Sequence, residues 1–123
     1  MHRRLWVVVA LLAFGYTLLP ALPAAAGYGA VAWDEGTGKY GGSFNQPTRK
    51  EAEGRAVGEC GASGCKILNW AGPARCLALA VSEDGKQAGA AQRKNRDAAR
   101  LAALKLCPKT AGECIVRVTD CNK

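Results

Sequence analysis

The sequence predicts an α+β fold: two ββαβ repeats forming a mainly antiparallel sheet with two packed helices, related by a pseudo-twofold and stabilised by disulfides. Three observations predict it. First, residues 29–121 read as one unit told twice. At an offset of 47, Lys39 matches Lys86, Gly42 matches Gly89, Arg49 matches Arg96, Ala52 matches Ala99, Ala56 matches Ala103 and Cys60 matches Cys107, after which the register slips by two and Cys65 matches Cys114. Second, each telling carries three cysteines, Cys60, Cys65 and Cys76, then Cys107, Cys114 and Cys121. Third, each shows two strand-like runs, a capped alanine-rich stretch of helical period and a closing strand.

In the first copy, residues 29–33 read as a strand, 34–38 as a turn and 40–44 as the returning strand of a hairpin. Pro47 and Thr48 open a helix with Thr48 as N-cap and Glu51 completing a capping box, and Ala52, Ala56, Val57 and Cys60 share one stripe. The helix ends at Cys60 and Gly61, residues 66–70 form a third strand, and Gly72 with Pro73 marks the joint between copies. In the second copy, strands at 77–82 and 87–92 flank an Asp84-Gly85 turn. Asn95 caps a helix running to Cys107, with Ala99, Ala103 and Leu104 on its stripe, Pro108 stops it, and 115–119 closes the pattern. The expected core joins the rings of Tyr28, Trp33, Tyr40, Phe44 and Trp70 to Leu77, Leu79, Val81, Leu101, Leu104, Ile115 and Val118.

The first 26 residues have the form of a secretory signal peptide: Arg3 and Arg4, an apolar stretch at 5–19, then small residues up to Gly27. A retained anchor is the rival; the interruption by Gly15, Tyr16 and Thr17 and the proline–alanine run favour cleavage after Ala26. Residues 27–123 are then expected as a single secreted α+β domain, with repeats at about 28–72 and 75–121, no transmembrane segment, and an extracellular or periplasmic location. With Arg3 and Arg4 gone, 15 basic residues face 10 acidic ones.

Six cysteines in a small exported chain read as three disulfides, each contributing about 2 to 4 kcal/mol. Many pairings are open in principle. The one that respects the repeat joins Cys60 to Cys65, Cys107 to Cys114, and Cys76 to Cys121, the last expected to tie the two halves together. The only histidine is His2, inside the leader, so the remaining chain lacks a Ser/His/Asp or Cys/His nucleophile and the usual ligand of catalytic metals. No cofactor or metal is implied, and the expectation is a protein that is not an enzyme.

Charge then points to a surface. Arg93, Lys94, Arg96 and Arg100 crowd the start of the second helix, and Arg49 and Lys50 the start of the first. Cations there oppose the helix dipole, so a bound anion would relieve them. Trp33, Tyr40 and Trp70 offer an aromatic surface in the first copy alone. Without aromatic interleaving or a nucleic-acid motif, sequence-specific nucleic-acid recognition is not expected. The expected function is a non-enzymatic secreted binding module for a protein or an anionic envelope or host component. Two alternatives stand: a small secreted inhibitor or antagonist presenting a loop, and a carboxylate-dependent glycosidase using Asp34 with Glu35 or Glu83 with Asp84.

The run Tyr28-Gly29-Ala30-Val31-Ala32, the Gly42-Ser43-Phe44 step, Pro47-Thr48-Arg49 with Ala52-Glu53, Cys60-Gly61 and Cys65-Lys66-Ile67-Leu68 followed by Cys76 carry a family resemblance. The chain resembles the small secreted bacterial proteins grouped as domain of unknown function 4189, with Leu77 standing where the family commonly has glycine. The resemblance implies secretion and a compact α+β domain. It supplies no catalytic residues.

Overall fold

The computed structural model describes residues 27–110 and 112–123, together with Gly15; the rest of the expected leader lies outside the described residues. Eight elements follow in chain order: β1 (Tyr28–Trp33), β2 (Tyr40–Gln46), α1 (Arg49–Cys60), β3 (Lys66–Ala71), β4 (Cys76–Ser82), β5 (Ala88–Arg93), α2 (Arg96–Leu106) and β6 (Cys114–Cys121). Each half thus runs ββαβ. The antiparallel strands divide into two three-stranded sheets, ordered β2-β1-β3 and β5-β4-β6, each with its own helix.

The layering follows from what alternates along the two central strands. In β1, Ala30 and Ala32 pack against Ala52, Ala56 and Cys60 of α1, whereas Val31 and Trp33 join the cluster shared with the second sheet. In β4, Cys76, Ala78 and Ala80 pack against Ala99, Ala103 and Cys107 of α2, whereas Leu77, Leu79 and Val81 meet Val31, Trp33 and Ala71. The order is therefore helix, sheet, sheet, helix. Large side chains fill the space between sheets, where most apolar area leaves water, and small ones let each helix lie close to its strands. The approach is closest at Gly41 and Gly89. A Cβ on Gly41 would strike the backbone of Ala56 and Cys60, and one on Gly89 that of Ala103 and Cys107.

These two glycines reset the repeat register. Gly41 pairs with Ala32 and Gly89 with Ala80, so the hairpins are related by 48 residues and not by 47. Gly42 and Lys39 are therefore not the counterparts of Gly89 and Lys86. The caps Thr48 and Asn95 keep the offset of 47 because β2 carries one extra residue between Ser43 and Gln46, where Asn45 takes φ 55°. A second irregularity is common to both halves: Leu68 in β3 and Arg117 in β6 are each skipped in the pairing with the central strand.

Both helices start as expected. Thr48 Oγ1 accepts from Glu51 N at 3.1 Å and Asn95 Oδ1 from Ala98 N at 2.8 Å. Gly61, left-handed at φ 72°, closes α1 by donating to Val57 O.

The core departs from expectation at Leu101, 61% exposed, and at Tyr40 and Ile115, each 39% exposed; Val57, expected on the stripe of α1, is 38% exposed. On α2 the sheet-facing positions belong to Ala99 and Ala103, and Leu101, two residues from each, is turned about 200° away. Ile115 alternates outward on β6 between Cys114, which is buried, and Val116.

All three disulfides pair as the repeat requires. Cys60–Cys65 and Cys107–Cys114 tie each helix end to the next strand. Cys76–Cys121 links register partners of β4 and β6, so it closes one end of the second sheet and does not join the halves. The halves are joined by the inter-sheet core and by side-chain hydrogen bonds of Trp33, Asn69, Asn122 and Asn45, the last accepting at Oδ1 from Lys123 N at 2.8 Å. Trp33 Nε1 donates to Gly85 O at 3.0 Å, and Asn69 Nδ2 donates to Ala90 O at 3.5 Å. Asn122 is buried, donates from Nδ2 to Ala71 O and Gly72 O, and accepts from Asn45 N.

Candidate functional site

Each hairpin runs from an acidic turn to a basic helix start, so the strands separate charge along the molecule. Asp34 and Glu35 sit in the first turn and Glu83 and Asp84 in the second, and the two turns touch where Gly38 meets Gly85. One strand length further on, about 20 Å, lie Arg49 and Lys50 at the start of α1, and Arg93, Lys94 and Arg96 at the start of α2. The two basic groups share an end of the molecule but not a surface, because α1 and α2 are the outer layers with both sheets between them.

The first group is internally occupied. Arg49 Nε donates to Glu53 Oε1 at 2.7 Å while its guanidinium lies 4.2 Å from the centroid of Trp70. Trp70 in turn stacks on Tyr28, centroids 6.4 Å apart. Lys50 is exposed and, among the described residues, has no carboxylate within 4.0 Å. Of the other candidate rings, Trp33 is only 7% exposed and committed to the inter-sheet core, and Tyr40 is exposed on the edge strand β2.

The second group is freer. Arg96 donates to Asp120 Oδ1 at 2.9 Å and Arg100 stands 3.8 Å from Asp97. Arg93 donates only to the neighbouring Gln92 carbonyl, and Lys94 is exposed with no carboxylate partner among the described residues. Beside them opens a groove of about 430 Å³ lined by Arg93, Ala98, Leu101, Ala102, Lys105 and Leu106, its two leucines 61% and 57% exposed. Sequence reasoning missed Lys105, Leu106 and the outward role of Leu101. The signal was present: Ala98, Leu101, Ala102 and Lys105 recur at i, i+3, i+4 and i+7, a second stripe beside that of Ala99 and Ala103.

The equivalent positions of the first half carry none of this. Gln46 replaces Arg93, and Glu51, Gly54, Arg55, Gly58 and Glu59 replace Ala98, Leu101, Ala102, Lys105 and Leu106. Charge is divided the same way: five basic residues face five acidic ones in 28–72, and nine face five in 75–121.

The carboxylates of the turns have structural partners. Asp34 accepts from Thr37 Oγ1 at 2.7 Å and Gly36 N at 3.1 Å; Asp84 accepts from Ser82 Oγ at 2.6 Å and Lys86 N at 3.0 Å. The hydroxyl bond, and then the N–H bond, holds each carboxyl below its ordinary pKa. A glycosidase acid needs the opposite shift. Among the described residues, no three His, Cys, Asp or Glu side chains gather as a metal site would require, and no helix is long and apolar enough to cross a membrane.

Fold and surface together define a small α+β protein of two helix-covered sheets, stapled by three disulfides that fit an oxidising compartment, with one polarised helix face. The chain belongs to the family described as Domain of unknown function (DUF4189), which matches residues 28–121. It is similar to Protein Rv1269c of Mycobacterium tuberculosis and Protein Mb1300c of Mycobacterium bovis, each 42% identical over 66 residues that make up 54% of this chain and 51% of the relative. The chain thus spans about half the length of these curated relatives. No solved structure matches it at a significant level.

Proposed function

We propose that this chain is a non-enzymatic, secreted binding module that engages an anionic macromolecule through the α2 side of its second half. One observation carries the reading: Arg93, Lys94 and Lys105 are cations without carboxylate partners among the described residues, grouped about exposed leucines, while the counterpart surface on α1 has no leucine and sets Arg55 against Glu51 and Glu59. Exposed cations of one sign raise the local concentration of anionic partners and speed encounter. Export is supported by the disulfides and by the form of residues 1–26.

The test is a salt titration of binding to a soluble polyanion, with R93Q/K94Q/R96Q/R100Q as control. The reading expects steep weakening between low and moderate salt and loss of binding in the variant. Binding that ignores both salt and substitution contradicts it. The inhibitor reading draws support from the hairpin tips, which brace each other at Gly38 and Gly85 and so present loops at little ordering cost. Under it the fourfold variant keeps full inhibition.

A further inference from the structure

Resting on the anionic-partner reading, we propose that the partner is a lipid surface: the outer face of α2 docks on a membrane bearing anionic headgroups, with Leu101 and Leu106 entering the headgroup boundary and Arg93 and Lys105 beside them meeting phosphates. The two leucines stand among the largest exposed apolar side chains of the molecule and lie on one helix of an outer layer. Cations stand among them: Arg93 and Lys105 line the same groove, Lys105 falling between Leu101 and Leu106 around the helix, and Lys94 lies just before the helix.

Charge complementarity selects the occupant. A helix lying in the plane of a bilayer interface needs a protruding apolar strip with cations on its margins, and the stems of arginine and lysine extend the strip while their heads stay in the polar layer. Asp97 is the one carboxylate on α2, and Arg100 stands 3.8 Å from it. A folded protein partner fits less well. Two leucines and two alanines along a helix of 11 residues, about 16 Å long, give too little apolar surface for the centre of an interface that normally covers about 800 Å² on each side. The counterpart face of α1, with Gly54, Gly58 and Glu59, offers neither leucines nor an excess of cations.

The experiment uses the oxidised protein recovered after export from a host cell, its N-terminus read by mass spectrometry, and measures cosedimentation with vesicles. Phosphatidylcholine vesicles containing about 30% phosphatidylglycerol are compared with pure phosphatidylcholine at about 0.15 M salt. The proposal expects binding to the anionic vesicles only. L101S/L106S should weaken it at least about tenfold, and R93Q/K105Q about 30-fold. Both pairs are surface changes, and an unchanged thermal midpoint verifies that the variants fold. Each variant has the same N-terminus as the parent, so any contribution of a retained leader cancels.

Wild-type vesicle binding by L101S/L106S overturns the proposal and leaves simple charge attraction. No vesicle binding alongside salt-sensitive binding to soluble polyglutamate overturns the lipid partner while the anionic reading survives. Failure of both arms overturns both.

Discussion

The two helix-covered sheets solve one structural problem by different chemistry. Cys76 opens β4 opposite Cys121 and is bonded to it; at the equivalent place in the first sheet stands Tyr28, whose ring stacks on Trp70 beneath Arg49. Arg96, the counterpart of Arg49, turns instead to Asp120. One sheet is thus closed at this end by aromatic and cation contacts, the other by a covalent link. In the second half the disulfide takes the position of Tyr28 and Thr119 that of Trp70, so the aromatic cluster of the first half serves as its brace. The outer faces differ too: α2 carries leucines and cations without carboxylate partners among the described residues where α1 has glycines, two glutamates and Arg55.

The comparison is broken most forcefully by removing the braces. C76A/C121A should cost about 4 kcal/mol, against about 2 kcal/mol for C60A/C65A or C107A/C114A, because the longer loop restricts the unfolded chain more. Trp70→Ala, the aromatic counterpart, should cost about 2 to 3 kcal/mol, less than a fully buried ring because Trp70 is half-buried. Urea unfolding of the oxidised variants checks all four; a negligible loss in Trp70→Ala would leave the rings free for a ligand role.

A smaller effect separates the outer helix faces. Gly54 and Gly58 open to solvent, with nothing within 4 Å of an added Cβ, so each change to alanine should stabilise by about 0.5 to 1 kcal/mol. At the counterpart positions, Leu101→Ala should change stability by less than about 0.5 kcal/mol, as expected of a residue retained for its surface. A loss above about 2 kcal/mol would return Leu101 to the core.

The smallest effect treats the halves alike. Asp34 and Asp84 both have folded pKa values lowered below 3.8 by hydroxyl and N–H donors. A depressed carboxyl contributes stability that is complete above its unfolded pKa and lost as pH falls through the folded value. Acid unfolding followed from pH 5 downward should therefore show less pH dependence in D34N and D84N than in the parent. An identical acid profile would mean that these turns form without the charge.

Much of this was legible in the sequence because it rests on local chemistry. Thr48 and Asn95 cap helices by their own side chains, Asp84-Gly85 makes a turn by its own geometry, and the short disulfides span neighbours. What escaped needed the third dimension. Division into two sheets was encoded in β4 as small residues at Cys76, Ala78 and Ala80 alternating with large ones at Leu77, Leu79 and Val81, a pattern that says both faces are buried but not by what. The outward turn of Leu101 is hidden in the sequence because a stripe of alanines gives no large residue to mark the inward side. Asn122 joins the halves from the penultimate position of the chain, and nothing in its neighbours announces the buried carbonyls it meets.

On the proposed reading, binding belongs to one copy of the repeat and not to both. Its most direct measurement compares R93Q/K94Q/K105Q with R49Q/K50Q on anionic vesicles at one salt concentration. A loss of at least about 30-fold is expected in the first variant and less than about twofold in the second, whose Arg49 is already held by Glu53 and Trp70. Equal losses would contradict it.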